Sequence, residues 1–218
     1  MDKQLKKLTL CGDVHGNIPA YLDLVKNSDY SIQLGDLGFI YKPIIFNVSS
    51  EFHKVVAGNH DNYTIEKGVF VDQTSHFLGD FGVHVVPEIG SFFFIRGGQS
   101  IDRDQRLVGI DWWHEEELSY EKCVQACNYY QEIKPEIVIS HECPKEVIPY
   151  VSKMERYNGR PIRESRTSLI LQNMIEIHRP RHWFFGHYHV SWSMMIGRTQ
   201  FRCLNELETF NIFEGGLS

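Results

Sequence analysis

The residues of this chain with the most chemical capacity occur in short polar clusters, each closing an apolar run. Gly12-Asp13-Val14-His15-Gly16 follows Leu8 to Cys11, Gly35-Asp36 follows Tyr30 to Leu34, and Gly58-Asn59-His60-Asp61 follows His53 to Ala57. Further on, His141 follows Glu136 to Ser140, and Gly186-His187-Tyr188-His189 follows His182 to Phe185. Carboxylate oxygen and imidazole nitrogen together suit Zn, Mn, Fe or Ni better than Ca or Mg alone. Asp13, His15, Asp36, Asn59, His60, His141, His187 and His189 offer more donors than one ion needs, and a carboxylate such as Asp36 can bridge two ions about 3.5–4 Å apart. Taken alone, Asp13 or Asn59 reads as a turn former. His187 and His189 lie on the same side of what reads as an extended segment, so a metal role competes there. Independent turn preferences do not account for the whole set.

Positioning such residues requires strands that end on one rim. The apolar runs before each cluster have the length of short buried strands, and ligand chemistry in open α/β sheets gathers at the C-terminal ends of strands. Asn17 can cap a helix with Pro19 in its first turn, running to about Asn27. Residues 41–48 are ambiguous between a strand and an irregular connection. Gly82 to Val86 and Ser91 to Ile95 read as a hairpin, with Phe92 to Phe94 apolar on both faces, as in a sandwich. Leu107 to Ile110 reads as one more short strand, and Ser119 to about Lys134 as a helix stopped by Pro135. Ile170, Leu171, Met174 and Ile177 mark the apolar stripe of a later helix. Ser191 to Ile196 and Thr199 to Leu204 flank a turn, and Phe210 to Phe213 reads as an edge strand.

At 218 residues with 42% hydrophobic content, the chain suits one domain over 1–218 with a large core. A net charge of −6 argues against stable binding of duplex DNA through phosphate neutralisation. Five cysteines at irregular spacing do not form a disulfide framework, and Cys123 and Cys127 read as small semi-buried residues rather than a metal pair. The expectation is a cytoplasmic protein with no membrane segment.

Gly12-Asp-Val-His-Gly-Asn17, Gly35-Asp36, Gly58-Asn-His-Asp61, Ser140-His141 and Gly186-His-Tyr-His189 resemble, in order and spacing, the five signature blocks of calcineurin-like metallophosphoesterases. The resemblance implies a four-layer α/β/β/α sandwich with two mixed β-sheets. It implies two divalent metal ions, manganese first and Fe, Zn or Ni as alternatives. Asp13, His15, Asp36 and His189 would hold one, and Asp36, Asn59, His141 and His187 the other. His60 would be a general acid that protonates the leaving oxygen after attack by a metal-bridging hydroxide. Phosphoprotein phosphatases carry Gly-Asp-x-x-Asp-Arg-Gly in the second block. Here it is Gly35-Asp-Leu-Gly-Phe39, without the Asp that would orient the histidine or the Arg that would grip phosphate, so that subfamily is disfavoured.

Substrate contacts must then come from elsewhere. Arg103 and Arg106 are candidates, as is Arg163 in a basic stretch, 152–166, that reads either as a cap or as a solvated loop. Trp112 and Trp113 could stack a nucleobase or close the sandwich edge. The expected activity is hydrolysis of small phosphorylated compounds, with nucleotide phosphodiesters foremost. A phosphomonoesterase and a non-catalytic binding scaffold are the alternatives.

Overall fold

The computed structural model describes residues 5–38, 48–63 and 75–217. The strands are β1 (Lys7–Cys11), β2 (Tyr30–Gln33), β3 (His53–Val55), β4 (Phe81–Val86), β5 (Gly90–Ile95), β6 (Ile137–Ser140), β7 (His182–Phe185), β8 (Trp192–Ile196), β9 (Thr199–Cys203) and β10 (Thr209–Phe213). The α-helices are α1 (Ile18–Val25), α2 (Tyr120–Ile133), the single turn α3 (Ile148–Val151) and α4 (Arg166–Ile177). They build two mixed sheets, ordered β10-β1-β2-β3 and β4-β5-β6-β7-β9-β8. In the first, β1, β2 and β3 are parallel and β10 is the antiparallel edge. In the second, β5, β6, β7 and β9 are parallel, and β4 and β8 are antiparallel edges.

The period-two alternation of the strands sets the layers. Leu8, Leu10, Ile32 and Leu34 from the first sheet meet Phe92, Phe94, Ile139 and Phe184 from the second in a core between the sheets. Phe93 and Ile95, on the opposite face of β5, join Val138, Trp183 and Phe185 against Ala126 and Tyr130 of α2 and Leu171, Met174 and Ile175 of α4. The Phe92–Phe94 run is therefore buried on both faces, and each such side chain contributes about 1.5–3 kcal/mol by leaving water. Cys11 and Val55 on the outer face of the first sheet pack with Ile18, Tyr21 and Val25 of α1. The result is an α/β/β/α sandwich.

Local signals position the helices that cross between parallel strands. The Asn17 side chain accepts from Ala20 N, with Pro19 in the first turn of α1. Ser119 caps α2 through Lys122 N, and the left-handed Lys134 ends it ahead of Pro135. Ser165 and Ser168 form a reciprocal capping box at α4. One expected strand is absent. Leu107 to Asp111 folds into tight turns in which Leu107 N donates to Asp111 Oδ1 and Gly109 N to Trp112 O. Side chain and backbone there satisfy one another locally, which competes with a strand ladder. Residues 152–159 form turns after α3, and 160–165 run on to α4 without regular structure. The ambiguous stretch over 41–47 lies outside the described residues.

Candidate metal centre and its cleft

The polar clusters sit on the turns that leave β1, β2, β3, β6 and β7, and two groups of donor atoms converge there. Asp13, His15, Asp36 and His189 each place a ligand atom within 4.8 Å of the others. His15 Nε2 and His189 Nε2 face each other at 2.9 Å, and His189 Nε2 lies 2.9 Å from Asp13 Oδ2. In the second group, Asn59 Oδ1 is 3.0 Å from His141 Nε2 and 2.9 Å from His187 Nδ1. Asp36 joins the two: its Oδ1 is 3.2 Å from His141 Nε2 and its Oδ2 is 3.8 Å from His15 Nε2. Each group draws on both sheets, since Asp13, His15, Asp36 and Asn59 follow strands of the first, and His141, His187 and His189 follow strands of the second.

The donor chemistry fits cations at both places. Asp13 Oδ2 is buried without a well-aligned hydrogen-bond donor, although two imidazole nitrogens face it. Acceptor atoms gathered this closely need either a shared proton or a metal between them. Burial works against charge on His141, but Asp36 and Asp13 outweigh it and push the imidazole up to about 10. Burial, followed by the neighbouring His141, pushes His187 down to about 3. Against the cost of burial, His15, His189 and His141 hold Asp13 below the usual carboxylate range. His141, His60 and His15 do the same for Asp36.

The backbone is bent to achieve this. His15, Asp36, His187 and His189 have φ of 47°, 58°, 70° and 49°, in the left-handed region that non-glycine residues rarely occupy. Strain of this kind costs about 1–3 kcal/mol per residue and collects at functional sites. The segment from His187 to His189 is therefore not extended, as its alternation suggests. Two left-handed residues send both imidazoles to the site, while Tyr188 between them is fully buried in the helix-side core. Glycines give the ligands room. A Cβ on Gly58 would meet Asp36 Oδ1, and one on Gly186 would meet Asp13 Oδ1.

Supporting bonds fix the rings and the turns. His141 Nδ1 is 2.8 Å from Leu34 O, which leaves Nε2 for the site. Asn59 Nδ2 donates to Ser100 Oγ, which donates to buried Glu116, so the Asn59 oxygen faces inward. Asp61 accepts from Asp36 N, Gly38 N and Gly58 N at 3.0, 2.9 and 2.7 Å and locks the second turn to the third. Burial and Asp36 push its carboxyl up to about 7. Glu206 Oε1 lies 2.7 Å from His189 Nδ1. Asp61 was visible as part of a cluster, but its partners were not. Ser100, Glu116 and Glu206 carry no motif and emerge only from the folded chain.

A cleft of about 450 Å³ opens over these groups, lined among others by His60, Arg106, Arg156, Tyr157 and Glu206. His60 Nε2 is 3.8 Å from Asp36 Oδ2. Burial, then Arg106, keeps its imidazole below the ordinary value against the pull of Asp36. The Arg106 guanidinium lies against that ring, Nη1 and Nη2 each 3.0 Å from a ring nitrogen. Asp102 grips it from behind through Nε at 2.5 Å and Nη2 at 2.9 Å. Arg103 and Arg163 line an adjoining cavity instead.

Of the two readings open to Trp112, its burial fits closing the edge. The residue is 6% exposed, with the Arg103 guanidinium carbon 4.3 Å above its ring centroid. Trp113 is buried against Ala57 and Tyr63. Both rings fill space under the loop, so neither offers an open face to a base.

Two mixed sheets that bring imidazoles and a shared carboxylate to one rim define the class of metallophosphoesterases. The sequence model of the calcineurin-like phosphoesterases matches residues 6–191. The chain belongs to this family and is a metal-dependent phosphoric ester hydrolase. No curated protein matches the sequence. Phosphopantetheinyl hydrolase from Mycobacterium tuberculosis shares the fold at 13% identity and a TM-score of 0.50, over 93% of this chain and 90% of that one. GAP50, the anchor in the inner membrane complex of Plasmodium, is similar at 13% identity and a TM-score of 0.50, over 93% and 72%. No helix among the described residues is long and apolar enough to cross a membrane.

Proposed function

We propose that this protein is a dinuclear phosphoesterase acting on small phosphorylated compounds, with nucleotide-type phosphodiesters as its substrate class. The observation that carries the reading is the Asp36 carboxylate, one oxygen toward each donor group. Asp13, His15, Asp36 and His189 would hold one ion, and Asp36, Asn59, His141 and His187 the other, with manganese the first choice. Such ions polarise phosphoryl oxygens and lower the pKa of an attacking water.

The chain's own residues supply the rest. His60, at the cleft wall beside Asp36, donates a proton to the leaving oxygen from its ring nitrogen. Burial and Arg106 lower the proton affinity of that ring, and the negative charge of an incoming phosphoester raises it again. Arg106, pre-aimed by Asp102, takes the part of the missing second-block arginine and binds a phosphoryl oxygen. Its fixed fork loses little freedom on doing so. A second reading, hydrolysis of phosphomonoesters, is favoured by Arg156, a further cation at the cleft that suits a dianion.

Metal analysis of the purified protein, with turnover of bis-para-nitrophenyl phosphate and para-nitrophenyl phosphate under Mn2+, tests the proposal. Faster turnover of the bis ester is expected. Preference for the mono ester would favour the second reading, and no turnover of either with any divalent metal would overturn both.

A further inference from the structure

Beside the metal cleft is a second cavity of about 360 Å³. The two share Ile101 and His187 as lining residues, so a ligand held at the metal groups can extend into it. That volume is at the lower end for small-molecule pockets, about 300 Å³ and upward, and suits one ring system rather than a polymer. Most of its wall comes from two stretches of chain, Gln99, Ser100, Ile101, Arg103 and Asp104 from the first and Pro161, Ile162, Arg163 and Ser165 from the second.

The polar groups decide what fits. Glu142 lines the cavity and is 2% exposed. Its Oε1 accepts from Ser165 Oγ at 2.6 Å and its Oε2 from Gln99 N at 3.1 Å. A carboxyl oxygen has two lone-pair sites, so the group retains capacity for a ligand donor whether or not it is ionised. Arg103 and Arg163 also line the cavity, but the start of α4 adds nothing for an anion, since Thr167 N is taken by Glu117 and Ser168 N by Ser165 Oγ. Ile101, Ile162 and Tyr188 give the wall apolar surface. Arg103, spread over Trp112 on one face, lines the same space and provides a planar cation of the kind on which aromatic rings stack. The stacking role open to Trp112 in the sequence thus passes to the guanidinium that covers it.

We propose that this cavity binds the organic half of the substrate, and that it takes a planar ring with hydrogen-bond donors, the amino-bearing edge of a nucleobase, which stacks on Arg103 and donates to Glu142. The proposal rests on the phosphoesterase reading and names the substrate class of that same site.

Calorimetric binding of cytidine, adenosine and ribose to the Mn2+-loaded protein tests it. Binding of both nucleosides and not of ribose is expected. Ile162→Trp, which fills the cavity, and Arg103→Ala, on the surface, should each weaken nucleoside binding about tenfold, the scale of one base–side chain stack. That fall should exceed any fall in turnover of bis-para-nitrophenyl phosphate by the same preparations. Ester hydrolysis without nucleoside binding, or nucleoside binding that neither variant alters, would overturn the cavity assignment and leave the phosphoesterase reading standing. Nucleoside binding without hydrolysis of any ester would overturn the phosphoesterase reading instead.

Discussion

Asp61 provides the sharpest test of how this site is held together. Its carboxylate accepts three backbone N–H groups, from Asp36, Gly38 and Gly58, and Asp61 is 2% exposed. Asp61→Ala leaves three donors in the interior without a partner, at about 1–3 kcal/mol each. The three share one acceptor and will not add fully, so a loss of roughly 3–6 kcal/mol is expected. That is a large share of the ~5–15 kcal/mol typical of a folded domain. Asp61→Asn keeps an oxygen for the two amides that share Oδ2 but turns an N–H toward Gly38 N, and should cost less. Both variants loosen the turns carrying Asp36 and Asn59, so metal affinity should fall in the same order as stability. Urea unfolding of metal-free protein and Mn2+ titration calorimetry read the two quantities. Stability of Asp61→Ala within 1 kcal/mol of the parent, or lower stability with metal affinity unaltered, would refute the reasoning.

Three further outcomes follow from the same geometry. His60→Ala should retain both metals and lose about a hundredfold or more in turnover, most severely with a poor leaving group; loss of metal instead would make His60 a ligand. Gly186→Ala, whose Cβ would collide with Asp13 Oδ1, should keep its circular dichroism spectrum but bind metal about ten- to a hundredfold more weakly by dialysis and metal analysis. Burial pushes Glu142 from 4.5 up to about 8, so the folded protein resists its ionisation. Its contribution is intact below pH 4.5 and is lost as the pH rises through about 8. In thermal melts of metal-free protein, Glu142→Gln should therefore gain on the parent between pH 5 and pH 8.5, and a pH-independent gap would count against this account.

The layers were legible because alternation and strand ends are local signals. Phe92 to Phe94 announced a strand covered on both sides, and glycine followed by a metal-capable residue marked four of the five turns at the rim, Ser140-His141 being the exception. Leu107 to Ile110 misled because its apolar letters carry no record of Asp111, whose side chain captures Leu107 N and closes a turn. Trp112 stayed open between two roles for a related reason: composition shows an aromatic ring but not the arginine lying on it. The left-handed φ of His187 and His189 was equally hidden, since the alternation of side-chain types carries no sign of backbone dihedrals. Asp61, Glu206 and the Ser100–Glu116 pair act through partners distant in the chain, and no spacing rule reports such contacts.

Because each donor group takes atoms from both sheets, the gap between the sheets is a dimension of the reaction centre. The aromatic layer of Phe92, Phe94 and Phe184 lies between the two sheets whose strand ends carry Asp36 and His141. A methylene removed from that layer should therefore shift the donors of the two sheets relative to one another. The interior of the sandwich is in this sense a calibrated part of the catalyst.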